Sequence, residues 1–448
     1  MRAALALGLT LLFSFAALAA RGEAYRFTLR EAVGYGVQNS SGIKSKALAM
    51  EAAKQDLAAA RAAYYPAISA GLTYTHLFEQ PTQEFPPGVT RYVAAADPVG
   101  LSANLSQTLY TFGKIKGGVK LAEEAVAQAA LDLREETRKT VMLIKKAFYG
   151  YLLALEVQSI NRDTLERKQE ALEVAGLRYK AGLVADYEVL RAESDLENYR
   201  ATVISAENAV RVALLNVRNV LGIQEEGFEF ELVGALEPLP IELDAKALLA
   251  RAQERKYELA SFRQNLDLLA AQAALNRSLA LPSLAGFVGY SLKSGFDPIS
   301  GKNEYFTADA WDGTWTAGLS FNVPVSALFP WSRETAVTRK SALQLENLRL
   351  QYQSLESGVR IAVESAVLKI AEQEAKIASG RKSVALAERL YESADEQYRA
   401  GYISSTDLKD AQLGLNGAQL ALAQAVFGYN QNVLDLLDVV GMDGEEKP

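Results

Sequence analysis

Cysteine is absent from the 448-residue chain, and histidine occurs once, at His76. Without thiols there can be no disulfide, thiolate metal site, cysteine nucleophile or Cys-borne lipid. A lone imidazole excludes a His-based metal cluster and a Ser-His-Asp triad. Basic charge is also short, with 47 Lys and Arg against 54 Asp and Glu for a net charge of −7. That is the wrong sign for binding a phosphate backbone. Most enzyme readings end here, and no cofactor, resident metal or nucleic-acid partner is expected.

Long hydrophobic runs are equally scarce. The one that exists follows Met1 and Arg2, spans Ala3 to Ala20 and closes on Ala17-Leu18-Ala19. A basic start, a short apolar stretch and an A-x-A site describe a secretory signal peptide, expected over residues 1–19 with cleavage near Ala19 or Ala20. Beyond it no run reaches the ~18 apolar residues of a membrane-spanning helix. If the mature chain crosses a bilayer, it does so by strands.

Proline is missing from two long stretches, between Pro98 and Pro238 and between Pro330 and Pro448. A proline inside a helix costs about 3 kcal/mol, so these gaps mark where long helices are permitted. Both are rich in Ala, Leu, Glu, Gln, Lys and Arg. The first predicts a helical hairpin over 113–222, with a leading rod of roughly 100 Å at ~1.5 Å per residue. The second predicts another over 331–441. Each rod ends at a short tip, Arg178-Tyr179-Lys180-Ala181-Gly182-Leu183-Val184 or Gln397-Tyr398-Arg399-Ala400-Gly401-Tyr402-Ile403. Each then returns as a helix of about half the length, to Gly222 or Gly441. In the first return, Leu190, Leu196, Val203, Val210, Leu214, Val217 and Leu221 recur at the steps of an amphipathic coiled-coil helix.

A shift of 219 residues lays one tip on the other without a gap: Tyr179 on Tyr398, Gly182 on Gly401, Glu188 on Asp407, Gly222 on Gly441. Upstream, a shift of 216 lays Pro66 on Pro282 and Tyr74 on Tyr290, and pairs two helix N-cap candidates, Thr28 and Asp244. The expected organisation is an internal duplication. Residues 20–222 form a first repeat and 244–441 a second, joined by 223–243 and followed by a tail, 442–448.

Four segments alternate with period two, expected as strands at about 66–78, 99–110, 282–292 and 314–325. In the second, Val99, Leu101, Ala103, Leu105 and Leu109 oppose Gly100, Ser102, Asn104, Ser106 and Thr108. In the third, Phe287 interrupts the polar side. About ten residues suits a tilted bilayer-spanning strand. Aromatic residues gather at the strand ends, Tyr65, Tyr110, Phe112, Phe329 and Trp331 at one end and Phe78, Tyr305 and Trp311 at the other, as membrane girdles do. Four strands cannot close a barrel, and an open edge in lipid leaves backbone groups unsatisfied at several kcal/mol each. The chain must assemble with copies of itself. His76 falls on the expected lipid face and has no assigned role.

With this layout, with Tyr-Pro-Ala-Ile-Ser and Leu-Pro-Ser-Leu entering the odd strands, and with the two tips, the sequence resembles the TolC family of outer-membrane efflux proteins over nearly the whole mature chain. The resemblance implies an α+β membrane protein in which a trimeric transmembrane β-barrel, four strands per chain, continues as a long α-helical coiled-coil barrel in the periplasm. It implies a homotrimer in the cell outer membrane, docked onto a periplasmic adaptor and an inner-membrane transporter, acting as a passive exit duct for efflux or type I secretion. Residues 223–243 resemble the family's equatorial segment.

Asp407 and Asp410 lie three apart, and so share a helix face. They match the family's acidic pair at the periplasmic entrance. Three copies would form stacked carboxylate rings that favour cations, with mutual repulsion raising their pKa values. Tyr398 and Glu188 match the residues of the family's entrance lock, whose basic member is replaced here by Ile403. Ala181, Gly182, Leu183, Ala400, Gly401 and Tyr402 are expected to be exposed at the tips, where the resemblance implies adaptor docking. A competing reading is a periplasmic coiled-coil adaptor or spacer without a pore, which leaves the four alternating strands unexplained.

Overall fold

The structure is a computed structural model that describes residues 25–85, 88–225, 228–306 and 311–442. The expected signal peptide and residues 443–448 of the expected tail lie outside the described residues. The chain runs through β1 (Tyr25–Phe27), α1 (Leu29–Asn39), α2 (Ser41–Ala62), β2 (Ala67–Tyr74), β3 (Thr82–Phe85), β4 (Val89–Tyr92) and β5 (Val99–Tyr110). Next come α3 (Lys114–Lys180), α4 (Asp186–Leu221), β6 (Phe230–Leu232), α5 (Ala245–Arg255) and α6 (Tyr257–Leu279). The last part holds β7 (Ser283–Phe296), β8 (Asn303–Glu304), β9 (Trp311–Asn322), α7 (Arg333–Ala400) and α8 (Ser405–Val440). Among the described residues no helix is long and apolar enough to cross a membrane.

Contacts divide the chain into two units. One comprises the chain up to Leu48, Leu131–Ala260 and everything from Gln353; the other comprises Ala49–Ala130 and Ser261–Tyr352.

The first unit is helical, with its core on the inward faces of α3, α4, α7 and α8, where Ile144, Val217, Leu221, Val363, Ile370, Leu434 and Leu436 are essentially sealed from water. Thr28 and Glu31 form a capping box on α1, and Asp244 caps α5 through the amides of Lys246 and Ala247. Both return helices are 36 residues long and stop at a left-handed glycine, Gly222 at φ 72° and Gly441 at φ 76°. Left-handed backbone strains any residue with a Cβ, so glycine is required at these stops. After α4, β6 pairs in parallel with β1, Phe27 opposite Leu232, and the rings of Tyr25, Phe27, Tyr35, Phe228 and Phe230 cluster there. Asn430, fully buried, accepts from the Leu239 amide at 2.8 Å and donates to the Glu237 carbonyl at 2.8 Å. One side chain on α8 thereby fixes an otherwise irregular, proline-containing segment.

The second unit contains an antiparallel sheet in the order β2-β5-β7-β9, with β8 a short flap on the end of β7. Its register does what alternation within single strands cannot. Ile68 stands opposite Leu105, Leu105 opposite Val288, and Val288 opposite Ala317, while Leu72 stands opposite Leu101 and Leu101 opposite Leu292. Directly paired residues point to the same side of a sheet, so the apolar sets of all four strands merge into one face. Ser69, Asn104, Gly289 and Thr316 line up on the other. Phe287, the exception on that side, lies across Gly318: a Cβ at Gly318 would come within 2.7 Å of the ring. Leu72, Trp315 and Leu319 are 70–73% exposed. Among the described residues, β2 and β9 each pair on one side only.

Several boundaries differ from the sequence expectation. The first strand stops at Tyr74, because the Thr75 and Leu77 amides turn to the carbonyls of Pro98 and Ala96. The third extends to Phe296, and the fourth begins at Trp311 and ends before Pro324 and a 3-10 turn at Val325–Leu328. His76 consequently lies beyond the strand: its Nδ1 is 2.6 Å from Asp97 Oδ1, which also accepts from the Tyr74 hydroxyl at 2.7 Å. The loop between the first strands holds its own hairpin, β3 with β4. At the strand ends Phe329 stacks on Trp331 at 4.7 Å, Tyr110 meets Phe112 edge-on at 4.6 Å, and Trp311 donates its indole N–H to the Tyr305 carbonyl.

Candidate functional site

The two tips lie in the first unit and are built alike. Gly182 (φ 70°) and Gly401 (φ 83°) end α3 and α7. The Gly182 amide donates to the Tyr179 carbonyl and the Leu183 amide to that of Arg178; Gly401 and Tyr402 repeat this with Tyr398 and Gln397. This is the Schellman arrangement, which satisfies carbonyls a helix end leaves open. Ala181, Gly182, Leu183, Ala400, Gly401 and Tyr402 are all exposed, Tyr402 at 83%.

Beyond the glycines the tips part ways at the helix N-caps. Ser404 caps α8 in a full capping box: its hydroxyl accepts from the Asp407 amide, and the Asp407 carboxylate accepts from the Ser404 amide at 3.0 Å and hydroxyl at 2.7 Å. The matching N-cap of α4 is Ala185, which makes no side-chain bond. Glu188, three residues later, therefore has no cap to serve. It reaches across to the other hairpin and accepts a short hydrogen bond from the Ser405 hydroxyl.

A second link crosses the same gap. The Arg178 guanidinium sits 4.9 Å from the Tyr398 ring centroid, and its Nη1 donates to the Tyr398 carbonyl at 3.0 Å. That carbonyl already receives the Gly401 amide, so Arg178 braces the cap that shapes the second tip. Tyr398 is 4% exposed and packs with Ala394, Leu408 and Ala411, flanked by Ala171, Val174, Tyr391 and Ile403. Burial pushes its phenol above the usual tyrosine value, with Arg178 opposing and Glu188 adding to the shift. It therefore stays neutral at physiological pH.

The structure thus brings Tyr398 and Glu188 to one junction, each with a partner the sequence reading missed, Arg178 and Ser405. A signal for Arg178 existed, since the 219-residue shift sets it against Gln397, an uncharged amide. Arg399 does not touch Tyr398 or Glu188; it pairs with Asp395 on its own helix at 2.7 Å and, across to α3, with the exposed Glu170 at 3.6 Å. Ile403 is apolar packing beside Tyr398.

Asp407 and Asp410 are exposed on one face of α8. Lys409 between them turns away to Asp195 at 2.7 Å, and among the described residues no ion pair reaches Asp410. The expectation of a raised pKa meets an opposing cause within the chain. The Ser404 hydroxyl and amide hold the Asp407 carboxyl below the usual aspartate value. Repulsion between copies would act on a group that starts low.

A sheet with one exposed apolar face and helical hairpins with exposed tips together form a fold shared by outer-membrane channel proteins. The outer membrane efflux protein family model matches residues 37–223 and 248–442, and the chain belongs to that family. It is 24% identical to the outer membrane efflux protein BepC of Brucella suis over 89% of this chain and 82% of BepC. It is 22% identical to the outer membrane protein TolC of Escherichia coli over 77% of this chain and 70% of TolC. Among solved structures it is similar to CusC, with a TM-score of 0.74 at 15% identity, covering 92% of each chain. It is also similar to the Campylobacter jejuni CmeC outer membrane channel, with a TM-score of 0.74 at 17% identity, covering 93% of this chain and 87% of that one. The protein is an outer-membrane efflux channel with a large periplasmic helical part.

Proposed function

We propose that the chain assembles as a homotrimer into a passive exit duct, gated at its periplasmic end and completed by a periplasmic adaptor and an inner-membrane transporter. The observation that carries this reading is the sheet. Its continuous apolar face is exposed, and among the described residues β2 and β9 each leave one edge unpaired. In lipid an unpaired edge is untenable, and three copies of four long strands joined edge to edge remove every edge. The same duplication of strands and hairpin in residues 20–222 and 244–441 would let six hairpins share one tunnel wall.

The tip junction supports a gate. Arg178–Tyr398 and Glu188–Ser405 bind the two hairpins of one chain, so opening must either break these links or move both hairpins together. Asp407 and Asp410 from three chains would ring the entrance and favour cations. The exposed tip residues around Leu183 and Tyr402 offer an apolar end for the adaptor.

Outer membranes extracted in detergent test this directly. The expected result is a heat-sensitive trimer that conducts in planar bilayers, with cation preference reduced by Asp407→Ala combined with Asp410→Ala. A chain recovered from the soluble periplasm as a non-conducting monomer would support the spacer reading instead. Unaltered selectivity in the double variant would remove the carboxylate rings.

A further inference from the structure

Beside the tip junction, α3, α4 and α8 frame a small, partly open cleft of about 40 Å³ that shares Tyr398 and Ser405 with that junction. Lys168, Arg191 and Lys409 line it with a single carboxylate, Asp195, which Lys409 already engages at 2.7 Å. Lys168 is 93% buried by its 7% exposure, and its ammonium lies 5.2 Å from the centroid of the Tyr199 ring without a carboxylate partner among the described residues. Arg191 likewise makes no ion pair among them. Gln412, 6% exposed, lines the cleft near the Tyr391 hydroxyl, and its Nε2 donor has no hydrogen-bond partner at normal geometry.

We propose that this cleft binds one small monovalent anion of chloride size, held by Lys168, Arg191 and the Gln412 amide. Buried charge that is neither paired nor neutralised is costly, and a buried amide donor without an acceptor adds to that cost. One anion satisfies both. Burial holds the Lys168 pKa below the usual lysine value, with Asp195 opposing and Lys409 reinforcing that direction; a bound anion would draw it back up. A water needs roughly 10–15 Å³ of such space, so the cleft takes a halide with a water or two and is too small for an organic cargo. Because its walls come from both hairpins, the anion would tie them together. The site rests on packing inside one chain and does not depend on the pore reading.

The test uses full-length protein in detergent. Crystals grown in bromide and measured at the bromine edge are expected to show an anomalous peak between Lys168 Nζ and Gln412 Nε2. Thermal stability is expected to rise and saturate when gluconate is replaced by chloride at constant ionic strength. Lys168→Met and Gln412→Leu should each flatten that response. A clean map without the peak overturns the site even if no variant folds. A chloride response unchanged in either variant overturns its assignment to these residues.

Discussion

Arg178→Ala removes a cation that reaches the other hairpin through both a ring and a carbonyl. A cation over a partly desolvated tyrosine contributes about 0.5–2 kcal/mol, and a hydrogen bond from a charged donor about 1.5–3 kcal/mol. With Arg178 half-buried, the pair stabilises the link between the two hairpins by roughly 2–4 kcal/mol. At about 1.4 kcal/mol per factor of ten, the ratio of linked to unlinked hairpins in one chain falls by ~30-fold or more. Single-channel recording in planar bilayers reads this as a rise in open time and closed-state leak. Arg178→Lys keeps the charge but loses the planar donor, and is expected to fall between wild type and Arg178→Ala. Tyr398→Phe keeps both the ring and the carbonyl and loses only the phenol contact with Arg178, and should stay nearer wild type than Arg178→Ala. The reasoning is refuted if Arg178→Ala gates like wild type while Tyr398→Leu opens the channel, since Tyr398 would then act by packing alone.

Three further outcomes are expected. Leu105→Arg places a charge on the apolar face in mid-strand, at about 2–4 kcal/mol, and should deplete the heat-sensitive trimer; Asn104→Arg, its neighbour on the opposite face, should not, and equal losses would invalidate the assignment of faces. Gly441→Ala must hold a Cβ in left-handed backbone, at about 1–2 kcal/mol, and also force it to 2.6 Å from the Arg255 carbonyl oxygen. It should lower the Tm clearly more than Gly182→Ala, whose added methyl meets open space. Asp407 has its folded pKa depressed below 3.8 by Ser404, so its contribution to stability is present above the unfolded value and is lost as pH falls through the lower folded one. The capping contribution should therefore survive to more acidic pH than an unperturbed aspartate allows, and Ser404→Ala should shift that limit upward in an acid titration followed by circular dichroism.

Elements whose physics is local could be found in the sequence. Long helices follow from an unbroken supply of helix formers without proline, and the strands from alternation that neither tip nor rod displays. Gly182, Gly222, Gly401 and Gly441 mark helix ends because only glycine takes those φ values without strain. The missed features depend on tertiary approach. The β3–β4 hairpin is hidden by short strands around Pro86-Pro87-Gly88, a composition that reads as loop. Alternation puts His76 on a strand face because it says nothing about where pairing stops; the Thr75 amide bonding to Pro98 decides that. Arg178 looks like any basic residue in the last turn of a helix, where it favours the dipole, until the second hairpin supplies Tyr398.

The two tips also show why positions matched by a sequence shift need not share a role. Glu188 and Asp407 correspond under the 219-residue shift, and both occupy the third position of a return helix. Their different partners trace to one upstream difference, Ala185 against Ser404. A serine N-cap draws the third-position carboxylate back onto its own helix, leaving Asp407 exposed but committed. An alanine N-cap makes no such demand, and Glu188 crosses to Ser405. The direction of the link between hairpins is thus set by a missing hydroxyl rather than by the carboxylate itself. It follows that Ala185→Ser offers Glu188 a competing local partner. That variant should weaken the crossing bond without removing either of its residues, loosening the tip as Ser405→Ala is also expected to do, while making α4 itself more stable. Single-channel open time and the stability of α4, followed by hydrogen exchange at its first turn, should then move in the same direction. If α4 gains protection while the channel gates like wild type, the Glu188–Ser405 bond does not hold the tip closed.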